Sequence, residues 1–154
     1  MALGDGGGWT PLLEQPFTKG HPEVSPDGRW LAYFSQPAGP NEIYIRPFPN
    51  VNDDNWLIST VPGLAPAWSL NGDELFYIGG NALISVRVET EPDGRAVTPE
   101  ALFPFTYYFD PMGRHYDVAS DGRFLVVKGG RSLGRPRQVS VVRNWIERLT
   151  ARGR

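Results

Sequence analysis

Two short clusters in the 154-residue chain carry the side chains best suited to chemistry, His21-Pro22-Glu23 and His115-Tyr116-Asp117. Each histidine stands six residues, and each acid four, before a turn aspartate, Asp27 or Asp121. Imidazole and carboxylate gathered at one place bind a divalent ion, or hold the cationic group of a peptide. Arg114, Tyr107 and Tyr108 neighbour the second cluster and join the candidate ligand site. A wet channel wall would carry the same groups simply to bond water and neighbouring backbone, so both readings stand. The spacing is not diagnostic of a metal site, so no cofactor is expected; Ca²⁺ in a channel is the one candidate to test.

A further match, Gly130-Arg131-Ser132-Leu133-Gly134, has the letters of a nucleophile elbow. An elbow must lead into a helix, whereas Arg135-Pro136-Arg137 leads into a Val-rich strand, and no His or Asp follows Ser132 to complete a triad in that order. Asp27 is followed directly by Gly28, which rules out a sialidase Asp-box, and neither H-E-x-x-H nor a P-loop occurs. Catalysis is not expected.

The clusters are positioned by repeats. Residues 21–34 combine a Ser25-Pro26-Asp27-Gly28 turn with alternating Trp30, Ala32 and Phe34 against Leu31 and Tyr33, the pattern of a β-hairpin. Residues 67–78 and 116–127 copy it, and the turn residues Asp27, Asn71 and Asp121 lie 44 and 50 positions apart. That period is the one expected of four-stranded propeller blades. Trp30, Phe34, Trp68, Phe76, Tyr77 and Phe124 recur at strand spacing and read as core between blades.

The expected class is therefore all-β, a β-propeller segment of about three four-stranded blades with a short C-terminal helix. Residues 1–8 read as a flexible leader and 9–154 as the propeller unit, with blades at about 18–60, 61–105 and 106–148. Blade one takes strands over 21–25, 30–35, 42–46 and 56–59; blade two over 65–69, 74–78, 82–88 and an outer 101–105. Blade three takes 115–119, 123–128 and 138–144, then a helix capped by Asn144 and running to Arg148. Residues 9–17 resemble 98–105 and read as an outer strand.

Composition fits a globular domain, 40% hydrophobic and 21% charged, with no cysteine for disulfides, thiolate metal sites or a Cys nucleophile. Residues 128–154 carry eight basic side chains against Glu147 alone, but without interleaved aromatics and at a net charge of −2 this reads as a solvated tail. Neither nucleic acid nor membrane is expected as a partner: no apolar run approaches the ~18 residues of a membrane span, and the start lacks a basic region followed by a hydrophobic one. As written, the chain reads as cytoplasmic.

Ser25-Pro26-Asp27-Gly28-Arg29, with the weaker copies Trp68-Ser69-Leu70-Asn71-Gly72 and Ala119-Ser120-Asp121-Gly122, resembles the TolB-like β-propeller repeat, a WD40-like Pro-Asp-Gly pattern. The stretch from Gln138 to Leu149 is similar to the end of TolB-type propellers that follow bacterial serine/threonine kinase domains. The resemblance implies a six-bladed ring, in which the first strand completes the last blade, and relatives that are often extracytoplasmic. It implies a fold rather than an activity. The function expected is a non-catalytic binding module, engaging a peptide, protein or small ligand at the channel mouth. An accessory propeller of a hydrolase or peptidase, or a fragment of a kinase-linked sensor, is the alternative.

Three blades are too few to close a ring. A homodimer would close it, with Leu12, Leu13 and Phe17 of one copy adding beside Val139, Val141 and Val142 of the other by strand exchange. Two bare blade faces are expected in the isolated chain.

Overall fold

The computed structural model describes residues 2–3, 9–89, 95–96, 98–107, 110, 113–129 and 136–142. Ala2–Leu3 (β1) pairs with Trp9–Thr10 (β2) in a short antiparallel ribbon. Thr18–Val24 (β3), Trp30–Gln36 (β4), Glu42–Pro47 (β5) and Trp56–Leu57 (β6) form the first blade in that order. Gly63–Trp68 (β7), Glu74–Gly79 (β8) and Ala82–Glu89 (β9) form the second; Arg95–Ala96 (β10) and Glu100–Pro104 (β11) share its outer edge by pairing with opposite ends of β9. Tyr116–Val118 (β12), Phe124–Gly129 (β13) and Pro136–Val142 (β14) make the third. All pairings are antiparallel. The architecture is that of a partial β-propeller; the helix expected over 144–148 lies outside the described residues.

The hairpins are built by their turn residues. Gly28, Gly72 and Gly122 all take φ near +75° (73°, 77° and 77°), and each donates its N–H back three residues, to Ser25, Ser69 and Ala119. In the first two turns a serine hydroxyl closes the loop: Ser25 Oγ accepts Trp30 N–H at 2.9 Å, and Ser69 Oγ accepts Glu74 N–H at 3.0 Å. Ala119 has no hydroxyl, and its N–H bonds Arg123 O where Ser25 and Ser69 reach one residue further, to Trp30 O and Glu74 O. The third hairpin is one residue shorter. Because side chains alternate along a strand, the shortening makes Phe124, not Leu125, the counterpart of Leu31 and Leu75.

Each blade stacks on the next through these alternating faces. Ala32, Phe34, Ile43, Ile45 and Ile58 of blade one meet Trp68, Leu75, Tyr77, Ile84 and Val86 of blade two. Ala65, Ala67, Phe76, Leu83 and Leu102 of blade two meet Tyr116, Phe124 and Val126 of blade three. Phe124 lies edge-on to Phe76 at 5.0 Å and to Phe103 at 5.6 Å. Side-chain burial of this kind is worth about 1.5–3 kcal/mol for each large residue, and it is what holds the blades together.

Residues 12–17, expected as an outer strand, form none within the chain; Pro11 and Pro16 remove two backbone donors from the stretch. Leu12 and Leu13 instead pack with Val51 and Phe48 over Leu31 and Tyr33, the face of blade one that points away from blade two. The expectation of two bare faces is therefore corrected: the front face is covered by the chain itself.

Candidate functional site

The inner strands β3, β7 and β12 bring equivalent positions of the three blades side by side. Arg114, just ahead of β12, reaches across to blade one and pairs with Glu23 on β3 at 2.8 Å. It also holds Asp117 of its own blade, more loosely, at 3.4 Å. Burial opposes the charge on the half-buried guanidinium, but Glu23 foremost outweighs that penalty and raises the Arg114 pKa. Glu23, Arg114 and Asp117 thus form one charged group spanning the first and third blades. The Asp117 side chain remains 67% exposed.

The histidines do other work. His21 and Ala65, at equivalent places in β3 and β7, both take positive φ, 51° and 54°, immediately before Pro22 and Pro66. Non-glycine residues pay for that conformation in strain of about 1–3 kcal/mol, and the ladder registers jump there as bulges. His21 Nδ1 accepts the Ala65 N–H at 3.1 Å, so its ring proton sits on Nε2. The imidazole edge also meets Phe34 at 5.1 Å. His115 Nδ1 lies 2.9 Å from Gly113 O, within its own loop. His21 is thereby a joint between blades, and no group of three or more His, Cys, Asp or Glu suited to a metal occurs among the described residues.

Tyr116 has a role that its sequence context conceals. It occupies the place of Pro22 and Pro66 in the repeat, is fully buried, and donates its hydroxyl to Ala65 O at 2.7 Å with Phe76 O at 3.1 Å. Burial pushes its pKa upward, so it stays protonated and a donor. The alternation of Pro, Pro and Tyr at one repeat position was the available signal. Tyr107 packs edge-on against Phe105 and Phe103 and belongs to the stack between blades two and three. Tyr108 lies outside the described residues, as do Gly130, Ser132 and Gly134 of the elbow-like motif.

Stacked antiparallel blades, of four, five and three strands among the described residues, define the class, a β-propeller segment. The chain is similar in structure to TolB from Acinetobacter baumannii, with a TM-score of 0.51 and 16% identity over 79% of this chain. It spans 28% of that chain's length. At this identity the likeness shows the fold alone. No protein-family model matches the sequence, and no curated protein matches it significantly.

Proposed function

We propose that the chain is a non-catalytic interaction module, a half-propeller that recognises the cationic group of a peptide or protein at the mouth formed by its inner strands. The observation that carries this reading is the Glu23–Arg114–Asp117 group. Its carboxylates are matched by an internal cation, and an incoming lysine, arginine or amino terminus can take over Asp117, whose bond to Arg114 is long and exposed. Nothing in the group pairs a nucleophile with a base, as covalent catalysis requires.

A homodimer is part of the same reading: two chains of three blades each would supply the six blades of a closed ring. Calorimetric titration with a basic peptide set tests the binding reading: Asp117→Asn should weaken binding about tenfold, with little change in stability. No measurable binding, together with turnover in a hydrolase screen, would replace it by the accessory-enzyme reading. Stoichiometric Ca²⁺ lost on Asp117→Asn would replace the peptide by a metal.

A further inference from the structure

Strand register identifies the same positions in every blade, so the two junctions between neighbouring hairpin turns can be matched residue by residue. Between the first and second turns the junction is filled. A Cβ on Gly72 would stand 3.5 Å from Pro26 Cδ. Below them Trp68 is buried, with its indole N–H donated to Glu23 O at 3.2 Å. Trp30, edge-on to Trp56 at 5.1 Å, packs on the same core cluster.

Between the second and third turns, Val118 holds the place of Trp68 and Glu74 that of Trp30. Phe76, in the place of Ala32, makes good one of the two lost rings. The other is not replaced. The turns also stand apart, since a Cβ on Gly122 would meet no neighbouring segment within 4 Å. The result is a recess of about 440 Å³, with Phe76 and Val118 at its base and Leu70, Asn71, Glu74 and Ser120 among its walls. Leu70 is 63% exposed and offers an apolar wall. Glu74 offers a carboxylate, which accepts the Ser85 hydroxyl at 3.3 Å and pairs with no cation among the described residues.

We propose that this recess takes the tryptophan side chain of a peptide or protein partner, its ring against Leu70 and over Phe76 and Val118, its N–H toward the Glu74 carboxylate. The first junction is the template: there the chain's own indoles fill the equivalent space. A ring with one donor suits walls that are apolar except for one acceptor, and such a group is a common anchor at interfaces. The inference rests on the reading of the chain as an interaction module and adds a second contact of different chemistry. Val118 follows Asp117 in β12 with its side chain on the opposite face, so the two contacts can be broken separately.

The test titrates two blocked lysine-rich peptides, one carrying a single tryptophan and the other alanine in its place, with N-acetyltryptophanamide as the indole alone. The tryptophan peptide should bind about tenfold tighter than its alanine counterpart. Leu70→Ser, which alters an exposed side chain, should bring the two peptides to the same affinity. So should Val118→Trp, which supplies the ring from within the chain. Asp117→Asn should weaken both peptides and preserve their ratio. Equal affinities for the unaltered chain, or a ratio that survives both Leu70→Ser and Val118→Trp, overturns the recess and leaves the interaction module standing. If neither peptide binds but N-acetyltryptophanamide shifts the amide resonances of residues 69–76 and 118–122, the module reading and its tryptophan-bearing partner fall, and the recess is a site for a small indole compound. If nothing binds, both inferences fall.

Discussion

The front face of blade one and the back face of blade three are the two ends of one stack, yet they meet solvent differently. At the front, Leu31 and Tyr33 are 7% and 3% exposed, because Leu12, Leu13, Phe48 and Val51 fold over them. Arg46 is buried there as well, and its guanidinium is satisfied by Tyr33 Oη at 2.7 Å and Val51 O at 2.6 Å, which fastens the covering loop to the sheet. At the back, Leu125 and Val141 have no such cover among the described residues. The contrast teaches that a blade face is defined by strand parity but its exposure is decided by what the neighbouring loops do.

The largest loss should come from the interior stack that both ends imitate. Phe124→Ala removes a fully buried ring in contact with Phe76 and Phe103, and should cost about 3–5 kcal/mol in denaturant unfolding. Tyr116→Phe keeps the ring but leaves Ala65 O and Phe76 O without its hydroxyl; about 1–3 kcal/mol should be lost, and a neutral outcome would show that those carbonyls are otherwise satisfied.

The contrast between front and back is tested directly by paired truncations. Leu12→Ala should lower unfolding stability by about 1–2 kcal/mol, since it strips cover from Leu31 and Tyr33. Leu125→Ala should change it by no more than about 0.5 kcal/mol. Equal costs would erase the distinction.

The smallest effect concerns the turns. Hydrogen bonds from the Ser25 hydroxyl and then Arg29 lower the Asp27 pKa from 3.8 to about 2. The folded value lies below the unfolded one, so the turn's contribution is complete above about pH 4 and is lost as pH falls through about 2. For so exposed a carboxylate it should not exceed about 1 kcal/mol, and Asp27→Asn should flatten that part of the pH–stability curve.

A good deal of this was legible in the residues. The Asp-Gly and Asn-Gly turns, the strand alternation after them and their spacing are local properties, and they determined three hairpins, their core aromatics and the propeller class without any knowledge of distant contacts. The equivalence of Glu23 and Asp117 could be counted along the chain. What the tertiary structure alone decided were the partners across blades. His21 faces Ala65, Arg114 reaches Glu23, and Tyr116 reaches Ala65, over separations of 44, 91 and 51 residues that no local pattern encodes. The missing hydroxyl at Ala119 was visible as a letter. The shorter turn that goes with it, which moves every later side chain of the strand to the opposite face, appears only when the hydrogen-bond register is closed. So too with Leu12 and Leu13: their apolarity marked them for burial, but two prolines and the proximity of Leu31 and Tyr33 settled that they cover blade one.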